Sequence, residues 1–204
     1  MELYDTEEQQ VEAIKDWWKE NGKSIIFGTI IGLGGLFGWR YYQDSVQTAQ
    51  EAASTAYTKT IQTLQAQGAD AEAQVSSFID ANQDSEYSVL AALQLAKVQV
   101  EAENLEQAKQ QLVWAKNHSK DAALLSVISY RLARIEAELT NYDAALTELG
   151  SITDSGWNGR VAELRGDILL SKGDADAART AYTEASQAED ASPTLQMKLD
   201  DLAK

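Results

Sequence analysis

The feature that most constrains this chain is Ser24–Trp39, SIIFGTIIGLGGLFGW, sixteen residues without a charge between Lys23 and Arg40. As a helix it reaches roughly 24 Å at ~1.5 Å per residue, a little short of the ~30 Å hydrocarbon core of a bilayer. The flanks supply the difference. Trp17 and Trp18 precede the run, and Trp39, Tyr41 and Tyr42 close it. Such rings sit at headgroup depth, while Lys23 and Arg40 snorkel outward. A buried core helix is the alternative for a shorter apolar run, but aromatic rings and charges at both ends favour a membrane span over residues 24–42. A cleaved signal peptide would begin with a basic region and be followed by small residues. Here seven acidic residues fall among the first twenty-three, and Trp39-Arg40-Tyr41-Tyr42 follows the run. An anchor is expected.

Orientation is read from Lys and Arg close to the span. Lys15, Lys19 and Lys23 precede it, and Arg40 alone lies within fifteen residues after it. This predicts residues 1–23 as a cytoplasmic tail and residues 43–204 as a domain on the far side. Within the span, Ser24, Gly28, Gly32 and Gly35 fall in one narrow helical stripe. Small residues of this kind let a second membrane helix approach closely; the competing account is that glycine is simply frequent in membrane helices.

The net charge of the chain is −15, and residues 43–204 carry 13 basic against 25 acidic residues. A nucleic-acid binder needs a basic face to displace counterions, so that class is excluded. An acidic exterior keeps a domain soluble and attracts basic segments, unfolded chains included. The absence of Cys removes disulfides, thiolate metal sites and thiol catalysis together.

The first twenty-two residues read as a short amphipathic helix. Thr6 and Gln9 have capping-box spacing, Val11, Ile14 and Trp18 share a side, and Asn21-Gly22 is a stop signal. The opposite side is acidic (Glu8, Glu12, Asp16, Glu20), the wrong sign for anionic lipid; a basic protein surface or plain solvation fits it better. From Gln43 to Ala66 a helical pattern continues with Ala52, Ala53, Ala56, Tyr57, Ile61 and Leu64 as its apolar positions. The rest is alanine-rich, without an alternating β-branched run, and the single proline, Pro193, suits the first turn of a last helix. The class is all-α.

A repeat then organises the remainder. Asp70, Asn104, Asn141 and Asp174 are good N-cap residues, spaced by 34, 37 and 33. Four residues after the last three come Ala108, Ala145 and Ala178, and eight after all four come Phe78, Leu112, Leu149 and Tyr182. Eleven after come Ala81, Ala115, Ile152 and Ala185; eight before the last three lie Ala96, Ala133 and Gly166. Helical hairpins cross closely where small residues meet, and a large residue fills the gap to the next pair. A period near thirty-four is the tetratricopeptide length, and each hairpin leaves an apolar face that only a neighbour can cover. The spacing predicts a right-handed superhelix with hairpins at about 46–82 (degenerate, with Gln74 in place of alanine), 87–118, 121–153 and 158–188. A C-terminal capping helix over 193–203 carries Leu195, Leu199 and Leu202.

No catalytic, cofactor-binding or metal-binding residue emerges. His118 is the one histidine, so neither a multi-histidine metal site nor a Ser-His-Asp relay can be assembled; a role at the end of a helix is expected for it. Arg131, Arg134, Arg160 and Arg165 cluster in the later repeats and either pair with neighbouring acids or clamp a carboxylate. Tyr130, Arg134 and Trp157 are the first place to look for a partner surface, since aromatic and arginine side chains dominate interface energetics.

Three segments together resemble one family: the opening MELYDTEEQQVEAIKDWWKENGK, the glycine-rich span ending in GWRYY, and GWNGRVAELRGDILLSKGDADAARTAYTEA. They are similar to the YfgM family, the ancillary SecYEG translocon subunits of Gram-negative bacteria. The resemblance implies a single-pass inner-membrane protein with its repeat domain in the periplasm. It implies association with the SecYEG translocon and with the periplasmic chaperone PpiD, and a non-enzymatic role in passing newly exported, unfolded polypeptides onward. Two other readings remain open on the residues alone: a membrane-anchored scaffold for another cell-envelope complex, and a regulator acting through the cytoplasmic tail.

Overall fold

The computed structural model describes residues 7–202, so Thr6, half of the expected capping box, lies outside the described residues. Two compact units divide the chain at Ala52/Ala53. The first helix, α1, spans Glu7–Gln67.

In the first unit the expected stop at Asn21-Gly22 does not occur. Asn21 Nδ2 donates to the Trp17 carbonyl at 3.0 Å, and the Trp18 indole lies over Gly22. One glycine costs about 1 kcal/mol inside a helix, whereas stopping would require a new and unfavourable nucleus at Ser24. Continuation is cheaper. Among the described residues this is the one helix long and apolar enough to cross a membrane, and only 6% of its apolar window is buried. A soluble core helix would be mostly covered; this one presents Phe27, Ile31 and Phe37 outward. A Cβ added at Gly28, Gly32 or Gly35 would meet nothing within 4 Å.

The second unit is a stack of helical hairpins. The end of α1 and α2 (Glu72–Ala81) make the first pair, followed by α3 (Glu86–Glu101) with α4 (Leu105–His118) and α5 (Ala122–Glu138) with α6 (Tyr142–Gly150). Next come α7 (Asn158–Ser171) with α8 (Ala175–Ser186), and a last helix, α9 (Leu195–Asp201). Two 3₁₀ turns, Gly68–Ala71 and Ser155–Trp157, complete the set, with no strand among the described residues.

The three inner hairpin turns share one geometry. Glu103, Thr140 and Gly173 all adopt positive φ, at 62°, 63° and 92°. The amides that follow, of Asn104, Asn141 and Asp174, donate to the carbonyls of Gln99, Glu136 and Leu169 at 2.8, 2.8 and 2.9 Å. The positive-φ residues themselves donate to Val100, Ala137 and Leu170. This is the Schellman closure. Asn104, Asn141 and Asp174 therefore close one helix with their backbone and open the next.

That double duty corrects the capping expectation. Only Asp174 caps with its side chain, accepting from Ala177 N at 3.0 Å. Asn104 makes no side-chain cap bond, and Asn141 instead donates to Glu136 Oε2 at 2.8 Å. Asp70 lies inside a 3₁₀ turn, and α2 begins after Ala71. Side-chain caps do form at the inter-hairpin joints, from Ser85, Asp121 and, at the start of the second 3₁₀ turn, Asp154.

The packing register holds. Ala108, Ala145 and Ala178 are fully buried, as are Ala96, Ala133 and Gly166 opposite them, and Leu112, Leu149 and Tyr182 fill the gaps. In the degenerate first hairpin Phe78 is buried but Ala81 is exposed, and so are Ala52 and Ala56. Leu64 is buried there, and Tyr57 packs its ring 6.3 Å from Phe78 and 5.4 Å from Tyr87. Larger rings take over the contact that alanines make elsewhere. Across the next interface, Lys109 of α4 pairs with the buried Glu136 of α5 at 2.8 Å. The hydrogen bond to Glu136 outweighs burial and raises the Lys109 pKa.

The final helix caps the stack. Leu195 is buried, and Leu199 and Leu202 pack on the cluster of Ala162, Ala178 and Tyr182. Pro193 stands just ahead of Thr194, the N-cap position, rather than within the first turn. Lys198 Nζ bonds both Asp167 oxygens at 2.6 and 2.8 Å and Glu163 at 2.9 Å, and the Tyr182 hydroxyl donates to Asp167 at 2.7 Å. The loop before α9 is pinned as well: Asp190 accepts from Gly159 N at 2.7 Å and Arg160 N at 3.2 Å. A carboxylate there satisfies free amides and the positive end of the α7 dipole.

Two outcomes are expected. A Cβ at Gly166 would overlap the Tyr182 ring, so Gly166→Ala destabilises by roughly 1–3 kcal/mol, read as a lower thermal midpoint by circular dichroism; an unchanged midpoint would show that Tyr182 yields freely. The second concerns alkaline pH. Burial and the bond to Asp167 raise the Tyr182 pKa above 10.0. Burial opposes the Lys198 charge, but its bonds to Asp167 and Glu163 prevail and hold its pKa above 10.5. Both contributions are therefore complete below about pH 10 and are lost as pH rises through the folded-state values. The wild-type midpoint should fall as pH rises above about 10, the ordinary value of these groups, more steeply than that of Tyr182→Phe with Lys198→Met; parallel profiles would count against this pair of groups.

Candidate partner-binding surface

Helix α5 organises the site. Tyr130 projects from its middle, half-buried, with its ring 5.3 Å from Trp157 at an interplanar angle of 51°. Trp157 is held by the 3₁₀ turn Ser155–Trp157, whose start is capped by Asp154 accepting from Gly156 N at 3.0 Å. The Arg160 guanidinium sits 5.3 Å from the Trp157 ring centroid, within cation–π range. Burial raises the Tyr130 pKa, and the positive charge of Arg134 works against it. The structure thus brings Tyr130 and Trp157 into contact, with Arg134 one turn along the same helix.

A groove of about 520 Å³ lies between α3 and α5, with Arg134 in its lining. Its floor is Leu93 and Ala96 from α3, Ile135 from α5 and Leu112 from beneath. Val100, Arg131 and Arg134 line it at the solvent side, and Val100 is 41% exposed. The groove was not legible in the sequence: Ala96 and Leu112 in its floor are positions of the repeat register, and that register does not mark an edge left open.

The four arginines divide. Arg165 pairs with Glu184, and Arg160 Nε lies 4.0 Å from Asp190. Arg131 and Arg134 are exposed and have no carboxylate partner among the described residues. His118 behaves as expected of a residue at a helix end: its Nδ1 lies 2.8 Å from the Trp114 carbonyl and its ring stacks on Trp114 at 4.0 Å.

Comparison with known proteins then decides the family. A family model described as a Tetratricopeptide repeat-like domain matches residues 15–204. The ancillary SecYEG translocon subunit of Escherichia coli (strain K12) is 39% identical over 207 residues, covering 100% of both chains. That of Haemophilus influenzae is 38% identical over 181 residues, covering 89% of each. The chain belongs to the ancillary SecYEG translocon subunit family. A more distant relative under the same name, from Neisseria gonorrhoeae, is 24% identical over 202 residues, 96% of this chain and 97% of its own.

A solved structure from the functional characterization of Pseudomonas aeruginosa pilF is also similar, with a TM-score of 0.57 at 17% identity over 74% of this chain and 68% of that one. That likeness bears on the fold alone. For the translocon-subunit family it means that the hairpin stack is a general architecture, so function must be argued from the surface that the residues create.

Proposed function

We propose that this chain is a non-enzymatic accessory subunit of the SecYEG translocon, anchored in the inner membrane by one span and holding other polypeptides through its repeat domain. The observation that carries the reading is the end-to-end similarity to translocon subunits at 38–39% identity. It is supported by an uncovered apolar helix and by a repeat domain in which Tyr130 meets Trp157 and Arg134, one turn further along α5, lines an apolar groove. In this reading residues 1–23 are a cytoplasmic tail, residues 24–42 the membrane helix and residues 43–204 the periplasmic domain. Its clients are newly exported, unfolded polypeptides, and the chaperone PpiD is the neighbour to which they pass. Tyr130, Arg134 and Trp157 form the contact surface, where large, rigid rings beside guanidinium groups give affinity at low entropic cost.

The stripe Ser24, Gly28, Gly32 and Gly35 is, in the same proposal, the side on which the span packs against a helix of the channel. Close backbone approach substitutes there for the hydrophobic drive that lipid removes.

Two measurements test the reading. Affinity purification from membranes in mild detergent should recover channel subunits with the wild type and several-fold less with Gly28→Ile and Gly32→Ile combined; equal recovery would remove the stripe, and absence of channel subunits from the wild-type eluate would remove the translocon role. Protease added to the outside of spheroplasts should digest residues 43–204, as three lysines against one arginine imply; digestion from the cytoplasmic side alone would reverse the orientation.

A further inference from the structure

We propose that the groove between α3 and α5 binds a protein segment carrying one acidic side chain beside aliphatic ones. This rests on the reading of the repeat domain as the part that holds other polypeptides, and it names the class of segment held.

The apolar half of the argument is shape. At about 520 Å³ the groove lies within the ~300–1,000 Å³ range of built binding sites. Leu93, Ala96 and Ile135 give it an aliphatic floor without a polar side chain, and Val100 extends that surface to solvent.

The charged half is a local imbalance in a chain whose net charge is −15. Of the charged residues lining the groove, Lys97 and Glu101 neutralise each other across 3.6 Å. That leaves Arg131 and Arg134 against Glu138, one positive charge in excess. The acidic exterior elsewhere matters little here, because charges more than ~8 Å apart are screened at physiological ionic strength. A guanidinium fork matches a carboxylate through two parallel hydrogen bonds. A basic segment would be repelled, and a purely apolar one would cover two guanidinium groups without satisfying their donors, which is costly. One carboxylate balances the mouth.

The test uses the full-length chain in lipid nanodiscs and a fluorescent leucine-rich peptide, blocked at both ends, with a single central Glu; empty nanodiscs set the background. Fluorescence anisotropy should show saturable binding, weakened roughly tenfold or more when the peptide Glu is replaced by Gln. Arg131→Ala with Arg134→Ala should weaken the Glu peptide by a similar factor and abolish the difference between the Glu and Gln peptides. Val100→Glu should weaken both. Circular dichroism confirms that each variant is folded, which the exposure of all three side chains favours. Equal binding of Glu and Gln peptides, full affinity in the double arginine variant, or binding confined to a Gln peptide with a free C-terminal carboxylate would each overturn the proposal, as would no binding at all. Recovery of channel subunits by the same wild-type preparation reports separately on the translocon role: its loss would sink that reading, while the peptide results alone decide the groove.

Discussion

Each inner hairpin depends on a single residue whose amide ends one helix while its carbonyl begins the next. Asn104, Asn141 and Asp174 donate backward to Gln99, Glu136 and Leu169, and their carbonyls accept from Ala108, Ala145 and Ala178 four residues on. The turn is closed on both sides by backbone groups, so the two helices must run antiparallel and begin at a set phase. That phase is what aims Ala108, Ala145 and Ala178 at Ala96, Ala133 and Gly166. Small residues then allow the close crossing, and the apolar burial of the stack follows from it.

This also explains what could and could not be read from the chain. The repeat was legible because small and large residues recur at offsets tied to the turn. The role of the turn residue was only half legible: Asn and Asp signal a side-chain cap, yet only Asp174 makes one, since the requirement at Asn104 and Asn141 is a backbone bond that leaves no mark in composition. Glu103 and Thr140 were invisible for a related reason. Left-handed backbone is advertised by glycine, as at Gly173, whereas a non-glycine residue in that region accepts a modest strain. The unbroken passage of α1 through Asn21-Gly22 belongs to the same class of error, a local stop signal overridden by the cost of a second nucleus.

At the candidate surface, residue type was informative and geometry was not. Tyr130, Trp157 and the arginines were recognisable as unusual side chains for an alanine-rich acidic domain. Which arginines find carboxylates depends on Asp190 and Glu184, which arrive from a loop and a helix far along the chain. No spacing rule encodes that. The groove floor was hidden too, because Leu93 and Ile135 carry the same pattern whether a neighbour covers them fully or leaves an edge open.

The buried contact between Lys109 and Glu136 has a consequence for assembly. Counted from the turn residues, the same slot holds Val75 and Gln99 in the preceding interface and Leu146 and Leu169 in the following one. Each junction therefore has its own chemistry. A hairpin docked one step out of place, or borrowed from a second molecule at the wrong junction, would set Glu136 against an aliphatic side chain and strand a charge, at a cost of roughly 3–5 kcal/mol. Near-identical modules crowded together are prone to mispairing, and this chain answers that hazard with a lock whose key differs at every step.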